Sequence, residues 1–376
     1  MSARNVVITI VFFFFLPPFT ASAQQKIIIA ENGAGAQLIE NTLAATTLAM
    51  AQGVEYLELP VVMSADNQLI LYDDITLDRL TNVATLFPER SRGDGKHYVI
   101  DFTLDEIRQL RLKNVFESDP FALTLGIPTL QEELSLIRKL KTSLSVKTGI
   151  IVEIKCPWFF KDAGKDISRE VLDLLNDFHF DEDEKIYIQS FDPEELQRLH
   201  TALMPQTGVL YPLIQMIGRA GDEETKQQQS GTWQPYDYEW LFTNLGLRIV
   251  SKYAAIIGLP QEKADVTANT TYIDGAHKYG LQVFLYSISD NQESLMDLAE
   301  DFPSLLRYYY KNIGIDGIYT ASYLSAQNYN MQPVIKEKQK TGLPPFFSNL
   351  NLSPLSGASK NPDRATTESI DPSVDY

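Results

Sequence analysis

Short apolar runs of strand length alternate with segments of helical periodicity along most of the chain. Strands buried on both faces of a sheet are nearly continuous apolar and β-branched runs, and eight runs fit that description. A turn at Asp66-Asn67 predicts a further short strand at 68–72. The eight runs that predict buried strands are 26–30, 55–63, 151–155, 186–190, 208–211, 254–257, 282–286 and 317–320.

Helices are predicted between most of these strands. Segment 41–52 has Thr42 near its start, apolar residues at helical spacing, and Gly53 directly after its end. A β/α alternation of this length closes most economically into a barrel. The predicted fold class is therefore α/β, a TIM (β/α)8 barrel with an insertion after the second strand, at about 74–126, where the periodicity is irregular. The other predicted helices are 128–140, 168–177, 193–202 and 270–279.

The two ends of the chain differ in composition from the predicted barrel at 24–332. Residues 1–23 combine Arg4, an apolar run and Ala21-Ser22-Ala23, which is the pattern of a secretory signal peptide. The run is shorter than the roughly 20 residues of a spanning helix, which argues against the alternative of a membrane anchor. We expect a secreted or periplasmic protein with no membrane span after signal removal. The tail at 333–376 is rich in Pro, Ser and Asn and is expected to be mobile.

The net charge argues against two classes of binding partner, and the cysteine content excludes an internal disulfide. The formal net charge is -17 at pH 7, which argues against nucleic acid and anionic membrane surfaces as partners. Cys156 is the one cysteine, so no internal disulfide can form. The oligomeric state is left open by the sequence.

Charged residues occur inside two of the predicted buried strands. Residues two apart in a strand share a face, so Glu153 and Lys155 point the same way, and so do Glu58 and Pro60. Charges at the C-terminal ends of parallel strands mark the mouth of a (β/α)8 barrel, where functional sites are built.

Several short motifs occur in a fixed order: Ile39-Glu40-Asn41-Thr42, Tyr56-Leu57-Glu58, Phe87-Pro88-Glu89-Arg90, Ile100-Asp101-Phe102-Thr103-Leu104-Asp105-Glu106-Ile107, Ile127-Pro128-Thr129-Leu130, Val152-Glu153-Ile154-Lys155-Cys156-Pro157-Trp158-Phe159, Ile188-Gln189-Ser190-Phe191-Asp192 and Gly314-Ile315-Asp316-Gly317. Together they resemble the glycerophosphodiester phosphodiesterase family, especially its periplasmic branch, over residues 26–325. The resemblance implies a TIM barrel that hydrolyses glycerophosphodiesters to an alcohol and glycerol 3-phosphate. It also implies a divalent cation, Ca²⁺ or Mg²⁺, on three carboxylates, two histidines that transfer protons, and an arginine and a lysine on the phosphoryl group.

At four positions this chain departs from the family pattern. Glu31-Asn32 replaces the His-Arg pair after the first strand, Pro60 replaces a metal carboxylate, and Tyr72 replaces the second histidine. Histidine titrates at about 6.5 and exchanges protons near neutrality, whereas glutamate and tyrosine titrate at about 4.3 and about 10. Glu31 could still act as a base, but Tyr72 could donate a proton only with a lowered pKa. Asn32 lacks the positive charge of the arginine that it replaces.

Three family positions are retained, as Glu58 and Glu153 for the metal and Lys155 for the phosphate. Alternatively, these three residues form structural ion pairs, since a buried carboxylate needs a partner to stay ionised. With one carboxylate missing, a cation would bind weakly or not at all, because hard cations need several oxygen ligands.

Two hypotheses about function follow. The first is a catalytically dead or strongly impaired member of the family, acting as a secreted binding barrel for a small phosphodiester or another anion. The alternative is an active metal-dependent phosphodiesterase with a rebuilt site. None of the histidines matches a catalytic position of the family, and all are expected at the surface or the barrel rim: His97, His179, His200 and His277.

Overall fold

The computed structural model describes residues 26–113, 125–180, 183–219, 221–264, 271–291, 295 and 298–330. The predicted signal peptide at 1–23, the tail at 333–376 and part of the predicted insertion lie outside these ranges. Across the described ranges, every helix is too short or too polar to span a lipid bilayer.

A closed barrel of eight parallel strands forms the centre of the protein, which confirms the predicted fold class. Going round the barrel the order is β1-β2-β4-β5-β6-β9-β10-β11, and β11 pairs with β1 through Ile27 and Gly317. The predicted hairpin is also present, because β3 pairs antiparallel with β2. In chain order the strands are β1 Ile27–Ala30, β2 Tyr56–Met63, β3 Leu69–Leu71, β4 Gly149–Ile154, β5 Ile186–Ser190, β6 Leu213–Met216, β7 Lys226–Gln229, β8 Thr232–Pro235, β9 Ile256–Pro260, β10 Gln282–Tyr286 and β11 Gly317–Thr320.

Helices cover the outside of the barrel. Their starts are set by local capping: Thr129 and Glu132 form a reciprocal capping box before α4, and Asp192 accepts two backbone N–H bonds before α7. The α-helices of the described residues are α1 Leu43–Ala51, α2 Val83–Leu86, α3 Leu104–Ile107, α4 Leu130–Leu144, α5 Pro157–Asp162, α6 Ile167–Phe178, α7 Pro193–Arg198, α8 Met204–Thr207, α9 Asn244–Val250, α10 Thr271–Lys278, α11 Phe302–Arg307 and α12 Tyr323–Asn330.

The predicted position of the fifth barrel strand, 208–211, is wrong. The strand is Leu213–Met216, because Gly208 ends α8 with a φ of +77° and the chain then runs along the surface, where Leu210 is 71 % exposed. The hairpin of β7 and β8 is not among the predicted elements. Its two-residue turn, Ser230-Gly231, has φ values of 52° and 81°, as the hairpin turns of two residues require.

The insertion after β3 packs against the barrel and contains a buried histidine. Tyr98 stacks on Phe159 of α5, which follows the C-terminal end of β4, so this part of the insertion lies on the mouth side. His97 is 3 % exposed, and its ring nitrogens contact the Asp78 carboxylate and the Phe87 carbonyl. The expectation of a surface position is therefore wrong for His97, since its ring bonds are satisfied inside the insertion.

The interior of the barrel changes from apolar to charged towards the mouth. Alternate residues of each strand point inward. Ile151 of β4 and Tyr56 of β2 belong to an apolar cluster, and the next inward residues on the same strands, Glu153 and Glu58, are buried carboxylates. The alternation of inward and outward side chains thus places apolar residues in the barrel interior and charged residues in the layer nearest the mouth.

Candidate functional site

The candidate site is a cluster of charged and amide side chains at the C-terminal ends of the strands. Glu58 comes from β2, Glu153 from β4 and Gln189 from β5, and all three are buried. Glu31 follows β1 directly and Lys155 follows β4 directly. The structure therefore brings together residues that lie far apart in the sequence, as the barrel prediction requires.

Lys155 lies at the centre of this cluster and is 5 % exposed. Its Nζ is 2.7 Å from Glu224 Oε1, 2.9 Å from Asp73 Oδ1 and 3.2 Å from Glu153 Oε1. Burial alone would lower the pKa of Lys155, but these carboxylates outweigh burial and raise it well above the usual value. The ammonium is thus fully charged and bonded to protein carboxylates on three sides.

The Gln189 amide bridges the carboxylates of Glu58 and Glu153. Gln189 Nε2 donates to Glu58 Oε1 at 2.7 Å and to Glu153 Oε2 at 3.2 Å. The Tyr319 hydroxyl donates to Gln189 Oε1 at 2.7 Å, which directs the amide NH2 group towards the carboxylates. Two acidic side chains that would repel each other therefore share a neutral donor.

Glu153 and Glu58 hold their protons more tightly than exposed acids do. Burial raises the pKa of Glu153 to about 7, against the opposing effect of Lys155. Burial and the neighbouring carboxylates Glu153, Glu31 and Asp73 raise the pKa of Glu58 well above its usual value. Burial and mutual repulsion thus favour the protonated form of both carboxyl groups, and Glu153 titrates near neutral pH.

Glu31 and Asn32 form the edge of the cluster on the β1 side. Burial, with Asp73 and Glu153, raises the pKa of Glu31 to about 7, and the Ser287 hydroxyl donates to Glu31 Oε1 at 3.4 Å. Asn32 has a φ of +54° and donates through Nδ2 to Asp73 Oδ2 at 3.3 Å. A cavity of about 270 Å³ borders both residues. Glu31 thus has a pKa near that of a free histidine, with adjacent space for a small ligand.

Tyr72 is not part of the cluster. Its side chain is 2 % exposed, and its hydroxyl contacts the backbone of Leu77 and Leu80, each at 3.4 Å. Burial raises the pKa of Tyr72, opposite to the lowered value that proton donation near neutrality requires. The proposed catalytic role of Tyr72 is corrected accordingly, because adjacent residues point in opposite directions and it is Asp73 that reaches the mouth.

Two members of the cluster, Tyr319 and Glu224, lie outside the sequence motifs. Tyr319 is inward-facing on β11, and strand alternation in 317–320 was a signal that could have placed it inside the barrel. Glu224 comes from the segment between β6 and β7, and its acidic, polar neighbourhood gives no sign that it reaches Lys155. Segments that cross a barrel mouth carry no periodic pattern that fixes their position.

The donors present at the mouth do not match a Ca²⁺ or Mg²⁺ site. Among the described residues, no three His, Cys, Asp or Glu side chains are arranged to hold a metal ion. Pro60 pairs with Glu153 across β2 and β4 and offers no side-chain oxygen. One oxygen of Glu58 and one oxygen of Glu153 accept from Gln189 Nε2, and Lys155 Nζ, 3.2 Å from Glu153 Oε1, already places a positive charge beside that carboxylate.

Comparison with known proteins identifies the family. The family model "Glycerophosphoryl diester phosphodiesterase family" matches residues 32–322. The chain is 34 % identical to a glycerophosphodiester phosphodiesterase of Haemophilus influenzae over 324 residues, covering 80 % of this chain and 88 % of that protein. It is 38 % identical to the Treponema pallidum enzyme of that name over 251 residues, covering 63 % of this chain and 70 % of that protein.

The fold agrees with solved structures. An Oleispira antarctica phosphodiesterase, in complex with the product sn-glycerol-3-phosphate, superposes with a TM-score of 0.57 at 20 % identity. The superposition covers 81 % of this chain and 96 % of that one. At this identity the likeness concerns the fold alone, and the matches in sequence carry the assignment. The chain belongs to the glycerophosphoryl diester phosphodiesterase family.

Proposed function

We propose that this chain is an exported, non-catalytic member of its family, a pseudoenzyme whose barrel mouth binds a ligand without hydrolysing glycerophosphodiesters. The observation that carries this proposal is the position of Lys155, whose ammonium lies within 3.2 Å of three carboxylates. The cation that should attract a phosphate is therefore already bonded to Asp73, Glu153 and Glu224. Export is proposed from the pattern of residues 1–23.

The charge of the mouth supports the absence of phosphoryl chemistry. A phosphodiester is an anion, and catalysis requires positive groups aimed at the charge that develops in the transition state. Here Lys155 faces three carboxylates, and Asn32 stands where the resemblance expects an arginine. The carboxylates of Glu58 and Glu153 both accept hydrogen bonds from the Gln189 amide. This arrangement is not suited to a divalent cation. We accordingly propose that the family's cation is weak or lost.

A second candidate function is supported by one specific observation, the pKa of about 7 at Glu31. A carboxyl group with that pKa can take and give a proton near neutrality, as the replaced histidine would. The alternative is therefore an active phosphodiesterase that uses Glu31 for both proton transfers. This alternative needs the phosphate to be held by Lys155 in competition with three carboxylates, and for that reason we rank it second.

Hydrolysis of glycerophosphocholine by the purified chain tests the two candidates. The reaction is followed by release of glycerol 3-phosphate at pH 6 to 9, with Ca²⁺, with Mg²⁺ and with a chelator. The matched controls are Glu153→Gln and Glu31→Gln. The proposal predicts the same background for all three proteins under every condition.

Turnover that depends on a divalent cation and disappears in Glu153→Gln would overturn the non-catalytic assignment. If Glu31→Gln then also removed the limb of the pH profile near 7, Glu31 would be identified as the acid-base group of a working hydrolase.

A further inference from the structure

A polar hairpin lies beside the charged cluster. We define the strap as residues 223–235, comprising β7, β8 and the three residues before them. Its two strands pair with each other in a sheet separate from the barrel, and residues 228–232 are exposed. An isolated two-stranded hairpin is marginally stable in water, so the position of the strap depends on the contacts that it makes with the barrel.

The strap docks on the segment that follows β4. Trp158 Nε1 donates to the Glu223 carbonyl at 3.1 Å, and Trp233 Nε1 donates to Asp162 Oδ1 at 3.0 Å. Lys226 lies over the Trp158 ring, with Nζ 4.7 Å from the centroid. These contacts hold the strap against α5, at the mouth end of the barrel.

The deepest contact of the strap is the ion pair between Glu224 and Lys155, at 2.7 Å. The Glu224 side chain is 26 % exposed, whereas the Lys155 side chain is 6 % exposed. Cys156 Sγ lies 3.7 Å from both the Glu223 carbonyl and Glu224 Oε2. Glu224 thus separates two buried groups, the Lys155 ammonium and the Cys156 thiol, from solvent.

We propose that the strap is a gate over the barrel mouth, that the Glu224–Lys155 ion pair keeps it closed, and that a small oxyanion opens it by replacing the Glu224 carboxylate on Lys155. Of the three carboxylates on Lys155, Glu224 belongs to the separate hairpin and can leave with it. Asp73 and Glu153 are attached to the barrel sheet and its following turn.

The ligand class follows from the group that Glu224 presents. A carboxylate on Lys155 occupies the place of an external oxyanion, and a phosphate monoester offers more charge and more acceptor oxygens than a carboxylate does. Because Glu224 is tethered, its effective concentration is on the order of millimolar, and a free anion must compete with that. The gate does not depend on whether the barrel hydrolyses anything, so its test is independent of the proposed function.

The cysteine content gives a direct readout of opening. Cys156 is the one cysteine of the chain and lies under the strap, so its reaction with N-ethylmaleimide reports exposure of the mouth. Glu224→Gln should label roughly tenfold faster than wild type, because the ion pair is replaced by a weaker hydrogen bond from the Lys155 ammonium to a neutral amide. The matched control is Glu223→Gln, because the Glu223 side chain is 66 % exposed and pairs with Lys226. That control should label at the wild-type rate.

Two further measurements separate opening from other effects. Removing Glu224 also lowers the pKa of the thiol, so amide hydrogen exchange in 226–235 is measured alongside and must accelerate in Glu224→Gln as well. Trp158→Phe removes the bond to the Glu223 carbonyl without changing any charge, and it too should accelerate both readouts. Equal labelling and exchange in wild type, Glu224→Gln and Trp158→Phe would overturn the gate.

Wild-type protein alone also tests the proposal, should the variants fail to fold. Labelling by local opening is independent of urea at low concentration, whereas labelling that requires global unfolding rises with urea throughout and would refute the gate. Inorganic phosphate should accelerate wild-type labelling relative to chloride at equal ionic strength, and should not accelerate it in Glu224→Gln. No difference between phosphate and chloride in wild type would refute the oxyanion as the opening ligand.

Discussion

Replacing Lys155 by methionine should destabilise the protein more at alkaline pH than at acidic pH. The substitution keeps most of the side-chain volume and removes the ammonium that contacts Asp73, Glu153 and Glu224. Removing one partner of a buried ion pair typically costs about 3–5 kcal/mol, because the remaining charge is left buried and uncompensated. Asp73 and Glu224 are 28 % and 26 % exposed, so water screens part of their repulsion. We therefore expect a loss near the lower limit, about 3 kcal/mol at pH 8.

The pH dependence follows from the sign of the shift at Glu153. Burial raises the pKa of Glu153 from 4.5 to about 7, so its proton is held in the folded state and released in the unfolded state between these values. Without Lys155, which lowers that pKa, the folded-state value rises further. The part of the Lys155→Met cost that comes from Glu153 therefore increases as the pH rises through about 7, and it is absent at pH 5, where the Glu153 carboxyl is protonated in both folded proteins.

Urea unfolding followed by tryptophan fluorescence at pH 5 and pH 8 measures this difference. Lys147→Met is the matched control, because Lys147 pairs with Asp183 on the surface, where the two side chains are 89 % and 70 % exposed. The control should unfold at the wild-type urea concentration at both pH values. If Lys155→Met matched wild type at pH 8, or if its loss of stability were the same at pH 5, the central role assigned to the ammonium would be refuted.

Three other predictions concern the cation, the amide bridge and a buried acid outside the site. Millimolar Ca²⁺ or Mg²⁺ should leave the Tm unchanged, because a bound cation would raise it by mass action; a rise that Glu153→Gln abolishes would contradict the proposed loss of the metal. Tyr319→Phe leaves the buried Gln189 carbonyl without its 2.7 Å donor and should cost about 1–3 kcal/mol in urea unfolding; a neutral effect would show that the hydroxyl does not orient the amide. Burial raises the pKa of Glu133 on α4 from 4.5 to about 7, so wild-type stability falls as the pH rises through this range. Glu133→Gln should equal wild type at pH 4 and exceed it by up to about 3 kcal/mol at pH 8, and equal unfolding midpoints at pH 8 would refute the shift.

The fold and half of the candidate site follow from periodic patterns. Strand alternation places Glu58 and Glu153 on the inner face of the barrel, and the structure brings both to the mouth with Lys155. Tyr72 and Asp73 lie just beyond β3, so strand alternation indicates only that they face opposite sides and does not say which one reaches the mouth. The motif favours Tyr72, whereas in the structure Asp73 contacts Lys155.

The rest of the site depends on contacts that the hydrophobic periodicity of the sequence does not predict. Glu224 approaches Lys155 because an irregular segment folds across the mouth, and its sequence neighbours are ordinary surface residues. The predicted position of the fifth barrel strand is wrong because the run after Gly208 is apolar yet exposed, so hydrophobicity alone does not distinguish a strand from a surface turn. The turn Ser230-Gly231 did carry a hairpin signal of its own.

The ion pairs of Lys155 also limit which substitutions the mouth can accept. An aspartate at Pro60, opposite Glu153, would add a carboxylate to a layer whose acids already depend on one ammonium and one amide. Without a cation bound beside it, that single substitution raises the electrostatic cost of the folded state. A further acid in this layer would therefore be tolerated only together with a further positive group, so that the effects of substitutions at the mouth depend on one another.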